Sequence, residues 1–89
     1  MRKVHLYIDG LVLSVGYRSF VKRRADTIGV KGYVRNIEGG VEVIAEGEDD
    51  AVNQLIEACR QGPSTAKVTN VTVEEEEPNY LFKDFVIRP

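Results

Sequence analysis

The fold is decided by one junction in the sequence, Gly10-Leu11-Val12-Leu13-Ser14-Val15-Gly16-Tyr17-Arg18, where a strand pattern ends and a helix pattern begins. Before it, Val4, Leu6 and Ile8 alternate with polar residues, as in a half-buried strand. After it, apolar residues recur with helical spacing at Tyr17, Phe20, Val21, Ala25 and Ile28. A short loop in this setting directs backbone N–H groups at one point, where the positive end of the helix dipole favours an anion.

Two polar side chains extend this prediction. Arg18 falls in the first turn of the predicted helix, and its planar guanidinium suits bidentate contact with a phosphate. A second cluster, Gly32-Tyr33-Val34-Arg35-Asn36, follows that helix at the end of another strand pattern. Together the two segments predict a phosphate-binding loop with a polar side chain across from it.

The remaining pattern completes the order of elements. Gly29 lies where a glycine is expected to end the first helix, and strands are predicted over residues 30–37 and 41–46 around the turn Glu38-Gly39-Gly40. A second helix is predicted to begin at Asp49 and Asp50 and to stop at Gly62-Pro63. Residues 67–74 predict a fourth strand, with a bulge where its apolar positions change phase between residues 68 and 71. Residues 82–87 offer a final strand after Pro78.

This order, β-α-β-β-α-β plus a terminal strand, predicts the α+β class. It is typical of the ferredoxin-like split βαβ sandwich, with two helices on one face of an antiparallel sheet. Because 89 residues suffice for one core, we expect a single domain over residues 1–89.

Composition and net charge exclude several classes of function. The net charge of −2 argues against a nonspecific nucleic-acid surface, since adjacent Lys22, Arg23 and Arg24 fan around a helix instead of forming a basic face. No apolar run reaches membrane-spanning length, and no signal peptide is recognised. With Cys59 as the only cysteine, neither an intramolecular disulfide nor a cysteine-based metal site is expected. We therefore expect a cytoplasmic monomer without nucleic-acid or membrane partners.

Structural roles are expected for several other residues whose side chains could bind a ligand or react. His5 is expected on a sheet face and Cys59 in the core of the second helix. Tyr33 is expected to pack on the sheet instead of stacking on a ligand. The acidic run at residues 74–77 is expected to be a solvated strand end or turn.

The two polar segments carry a family resemblance. The pattern G-x-V-Q-G-V-x-[FY]-R followed by G-[aromatic]-V-x-N is typical of acylphosphatases. The matching residues are Gly10, Val12, Val15, Tyr17 and Arg18 in the first part, and Gly32, Tyr33, Val34 and Asn36 in the second. Ala45-Glu46-Gly47 and Gly62-Pro63 also resemble family features, so that the chain resembles the acylphosphatase family over nearly its whole length.

The resemblance implies hydrolysis of the carboxyl-phosphate anhydride of a small acyl phosphate, with inorganic phosphate as product. By position, Arg18 binds the phosphate and Asn36 orients the attacking water. The backbone N–H groups that would hold the phosphoryl oxygens, here called the phosphate cradle, belong to Ser14, Val15, Gly16, Tyr17 and Arg18. No metal or cofactor is implied, because a carboxylate whose acid has a pKa of about 4 leaves without a strong general acid.

Two positions depart from the family pattern. Leu13 stands where the family usually has Gln, and Ser14 where it usually has Gly. If the backbone at Ser14 is left-handed, serine costs about 1 kcal/mol there, although its N–H is retained. These departures keep open a non-catalytic acylphosphatase-like module that binds an anion or a partner.

An RNA-recognition motif is a further alternative, since it shares the element order and Lys31-Gly32-Tyr33-Val34 resembles the start of one of its strands. Arg35 and Asn36 do not supply its aromatic pattern, and the net charge has the wrong sign.

Overall fold

Two helices cover one face of a five-stranded sheet in the computed structural model, which describes residues 1–89. The elements are β1 (Arg2–Leu11), α1 (Tyr17–Ile28), β2 (Lys31–Ile37), β3 (Gly40–Gly47), α2 (Asp49–Gln61), β4 (Lys67–Glu76) and β5 (Phe85–Arg88). In space the strands follow the order β4-β1-β3-β2-β5. The predicted ferredoxin-like α+β arrangement is therefore confirmed.

The terminal strand makes the sheet mixed. The first four strands pair antiparallel, as predicted, whereas β5 pairs parallel with β2, so that Phe85 lies opposite Gly32. β4 and β5 lie at opposite edges of the sheet, and residues 77–84 cross between them. Because β4 ends at the end of the sheet where β2 begins, the crossing chain enters β5 in the same direction as β2.

The core lies between the helices and the sheet. On β1 and β3 the inward residues pair directly, Leu6 with Val43 and Ile8 with Val41, and each is at most 1% exposed. The helices contribute the buried residues Tyr17, Val21, Ala25, Val52, Leu55, Ile56 and Cys59. Burial of each aliphatic or aromatic side chain stabilises the fold by about 1.5–3 kcal/mol. Burial of this apolar layer is therefore the main contribution that holds α1 and α2 on the sheet.

The predicted bulge lies beside the junction. Asp9 pairs with Asn70 and Gly10 with Val68, so Thr69 of β4 has no partner on β1. A Cβ at Gly10 would lie 2.1 Å from a backbone carbonyl oxygen of β4, and its φ is 129°, so glycine is required there. The bulge bends the pair of strands where β1 gives way to the loop before α1.

A buried carboxylate holds the crossing segment. Glu46 is 2% exposed, and its Oε2 accepts hydrogen bonds from the backbone N–H groups of Asn79 at 2.9 Å and Tyr80 at 3.3 Å. Phe85 then enters the core at 1% exposure, and its carbonyl oxygen accepts a hydrogen bond from Lys22 Nζ at 3.0 Å. The acidic run before this segment forms the exposed end of β4, as predicted.

Candidate functional site

The topology brings the two predicted site segments to one end of the sheet. β1 and β2 both pair antiparallel with β3, which lies between them, so their C-terminal ends coincide. Asn36 pairs with Val41, which also pairs with Ile8, so these three side chains share one sheet face. Ile8 and Val41 are covered by the helices, whereas Asn36 is exposed near the end of β2. Asn36 thus lies on the face and at the end where α1 begins.

The sign of the backbone angle φ alternates along the loop between β1 and α1. Ser14 has φ 61°, Val15 has a negative φ, and Gly16 has φ 78° at the N-cap of α1. Ser14 therefore has the left-handed backbone in which a serine side chain is strained. Successive peptide groups with alternating φ form a concavity of N–H groups that suits an anion.

The N–H groups of this loop have no protein acceptors. Those of Ser14, Val15 and Gly16 donate to no backbone or side-chain oxygen. Those of Tyr17 and Arg18 lie in the first turn of α1, where no earlier helical carbonyl exists to accept them. No acidic residue occupies that turn and no side chain caps it. The positive end of α1 is therefore open to an anion from solution.

Arg18 and Asn36 have unengaged side chains. Arg18 is half-buried, and its guanidinium contacts no carboxylate and donates no hydrogen bond within the protein. Arg2 and Arg35, in contrast, each form an ion pair with a glutamate. A cation at a helix N-terminus is unfavourable unless an anion joins it, which again favours anion binding here.

Tyr17 has a structural side chain and contributes only its N–H to this end of the helix. It is 1% exposed, and its hydroxyl donates to the carbonyl oxygen of Cys59 at 2.7 Å, tying the start of α1 to the end of α2. Burial, reinforced by this contact, raises the pKa of the Tyr17 phenol well above its usual range.

Thr65 contacts the loop and was not anticipated from the sequence. Its hydroxyl donates to the carbonyl oxygen of Val15 at 2.7 Å. The contact joins residues far apart in the chain, and only Gly62-Pro63 signalled that a turn lies nearby.

The open face of the sheet carries a separate ionic cluster. Glu42 accepts hydrogen bonds from Arg35 and from the Tyr33 hydroxyl, and contacts His5 Nε2 at 2.7 Å. Burial raises the pKa of Glu42, but the hydrogen bonds from Arg35 and His5 outweigh it and hold the pKa below its usual range. Since every buried side-chain polar atom has a partner, this cluster is a satisfied structural network.

The structural roles predicted for three residues are confirmed. His5 lies on the open sheet face. Tyr33 packs there against Phe82, with the Arg88 guanidinium 4.1 Å from its ring centre. Cys59 is fully buried in the core, and burial raises the pKa of its thiol to about 12.

The largest surface groove lies elsewhere. It runs between α1 and α2, has a volume of about 920 Å³, and is bordered by Arg24, Asn53, Glu57 and Arg60. None of these belongs to the two predicted segments, and the groove is open to solvent and lined mostly by polar residues. The loop before α1 is instead a shallow concavity of backbone groups, which explains why no deep cavity marks it.

Neither a metal cluster nor a membrane-spanning helix is present. No group of three or more His, Cys, Asp or Glu side chains is placed to share a metal ion. Neither helix has the length and apolarity needed to cross a bilayer.

Comparisons with known proteins agree with the fold. A model of the family described as acylphosphatase matches residues 4–87. The chain is 41% identical to an acylphosphatase of Caldivirga maquilingensis over 97% of this chain and 93% of the relative. It is 40% identical to one of Thermotoga petrophila over 99% and 98% of the two chains. The crystal structure of acylphosphatase from Bacillus subtilis superposes with a TM-score of 0.95 at 34% identity, covering 100% of both chains.

The left-handed backbone at Ser14 leads to a test of stability. We expect Ser14→Gly to be more stable than Ser14→Ala by about 0.5–1 kcal/mol, because alanine retains the Cβ that strains this conformation. Ser19 in the first turns of α1 is the matched control, since alanine should exceed glycine there by about 0.5–1 kcal/mol. The free energy of unfolding is measured in urea for all four variants. The same order at both positions would show that Ser14 is not left-handed in solution.

Proposed function

Because this chain belongs to the acylphosphatase family, we propose that it hydrolyses acyl phosphates to a carboxylate and inorganic phosphate. The observation that carries the proposal is the set of backbone N–H groups without acceptors at residues 14–18, beside the unengaged guanidinium of Arg18. Fixed N–H dipoles and one cation match the charge that phosphoryl transfer places on the equatorial oxygens.

The proposed roles follow from this arrangement. The phosphate cradle and Arg18 bind the phosphoryl oxygens, with the guanidinium forming paired hydrogen bonds. The side chain of Asn36, exposed on the same face and with no protein partner, orients a water molecule for attack on phosphorus. A bond forms between the water oxygen and phosphorus while the bond from phosphorus to the acyl oxygen breaks.

The carboxylate leaves with the electron pair of that bond, and the water proton passes to a phosphate oxygen or to solvent. Carboxylic acids have pKa values of about 4, so the leaving group needs no protonation. Positioning and charge stabilisation are the remaining requirements, and both are supplied here by groups of the chain. The proposed mechanism therefore includes no metal ion.

The alternative function, binding of an anion or a partner without turnover, was suggested by Leu13 and Ser14, which depart from the family pattern. Ser14 adopts the left-handed conformation that the loop needs, so serine leaves the loop shape in place. Leu13 remains a departure, with 43% of its surface exposed next to the phosphate cradle. An apolar group there removes a polar contact at the edge of the cradle without displacing its N–H groups.

The proposed activity is tested with a small aromatic or aliphatic acyl phosphate after exhaustive treatment with a chelator. We expect turnover to be unchanged by chelation and by added Mg²⁺, because every proposed contact is made by the chain itself. Loss of activity on chelation with recovery on adding a divalent ion would refute the metal-free mechanism. Tight phosphate binding without hydrolysis would favour the alternative.

The division of labour between Arg18 and Asn36 leads to opposite kinetic signatures. Arg18→Ala should weaken inhibition by inorganic phosphate on the order of 100-fold, because it removes the charged contact to the anion. Asn36→Ala should lower kcat on the order of 100-fold while the inhibition constant of phosphate changes by less than about threefold.

Arg23→Ala and Asn53→Ala serve as matched controls, since both residues are exposed and lie outside the site. We expect neither control to change kcat or phosphate inhibition. Loss of phosphate inhibition in a folded Asn36→Ala variant would contradict the proposal that Asn36 orients the attacking water and does not bind the phosphate.

A further inference from the structure

A turn between α2 and β4 is held against the start of α1. The N–H of Ala66 donates to the carbonyl oxygen of Pro63 at 3.0 Å, closing a turn in which Thr65 is the third residue. Gly62 precedes this turn with φ 66°, and a Cβ there would lie 3.4 Å from the ring of Tyr17. The residue before the turn therefore lies beside Tyr17, the residue with which α1 begins.

From this turn, the Thr65 hydroxyl donates to the carbonyl oxygen of Val15 at 2.7 Å. Val15 lies within the loop before α1, and no other group of the protein hydrogen-bonds to this oxygen. Thr65 is itself exposed, so the hydrogen bond, not burial, is its link to the loop.

The carbonyl of Val15 and the N–H of Gly16 belong to one planar peptide group. No peptide bond in the chain is cis, so these two groups point in opposite directions. When the oxygen is directed at Thr65, the Gly16 N–H is directed away from the turn, into the phosphate cradle.

This peptide group needs such a restraint because of its neighbours. Gly16 has φ 78° and no Cβ, so its backbone can rotate at little cost. Rotation of the peptide plane would replace an N–H by a carbonyl oxygen in the cradle, placing negative partial charge where a phosphate is to bind.

We propose that Thr65 is a positioning residue that fixes the Val15–Gly16 peptide group and so aims the Gly16 N–H at the bound phosphoryl group. This inference rests on the proposed function, since it assigns the N–H a phosphate to bind. Thr65 contacts the loop and not the substrate.

The test uses Thr65→Val, which keeps the side-chain shape and removes the hydroxyl, and Thr65→Ser, which restores a donor. Thr27→Val is the matched control, because the Thr27 hydroxyl also donates to a backbone carbonyl, that of Arg23 at 2.9 Å, remote from the loop. The readouts are the inhibition constant of inorganic phosphate, kcat and KM for an acyl phosphate, and the NMR signal of the Gly16 amide.

We expect Thr65→Val to raise the inhibition constant about three- to tenfold and to lower kcat/KM at least as much, as is typical of losing one hydrogen bond. The Gly16 amide signal should move. Thr65→Ser should bring the inhibition constant and kcat/KM to within about twofold of the starting protein and return the Gly16 amide signal towards its original position. Thr27→Val should leave phosphate inhibition unchanged.

Two outcomes overturn the inference while leaving the proposed function intact. One is an active Thr65→Val variant with unchanged phosphate inhibition, and the other is an equal loss in Thr65→Ser and Thr65→Val. A starting protein that neither binds phosphate nor hydrolyses an acyl phosphate would instead refute the proposed function, and this inference with it.

Discussion

At the junction between β1 and α1, consecutive backbone N–H groups lack protein acceptors and lie at the positive end of a helix. Buried groups in this state would each cost about 1–3 kcal/mol, so they are tolerated only because the loop is open to solvent. The same exposure makes them available to an anion. The left-handed backbone at Ser14 and Gly16 and the position of Arg18 all serve this one arrangement.

The arrangement is held by contacts from distant parts of the chain. The bulge at Gly10 bends β1 as it enters the loop, and the hydroxyl of Tyr17 ties the first turn of α1 to α2. Thr65 reaches the loop from the turn before β4. The loop is thus held by contacts from β1, α1, α2 and the turn that follows α2.

Much of this could be predicted because the relevant signals are local. Alternation and helical spacing predicted the elements, and a change of phase among the apolar positions of β4 predicted the bulge. The two polar segments were predicted to lie across from one another, and the pairing of β1 and β2 with β3 places the C-terminal ends of both strands at one end of the sheet.

Other features depend on contacts that single-sequence patterns do not encode. The parallel pairing of β5 follows from the path of residues 77–84, which the buried carboxylate of Glu46 holds through backbone N–H groups. Phe82 belongs to the predicted final strand by its apolar character, yet it lies before β5 and packs against Tyr33. Thr65 donates a hydrogen bond to a carbonyl oxygen, a group that every residue carries, so nothing in the sequence singles out its partner.

The central claim is that the backbone N–H groups of residues 14–18 bind an anion, and an NMR titration of the 15N-labelled protein with inorganic phosphate tests it most directly. The account predicts saturable shifts concentrated in the amide signals of residues 14–18, with the groove around Arg24 and Arg60 unaffected. Shifts confined to that groove, or none at residues 14–18 at saturating phosphate, would contradict it.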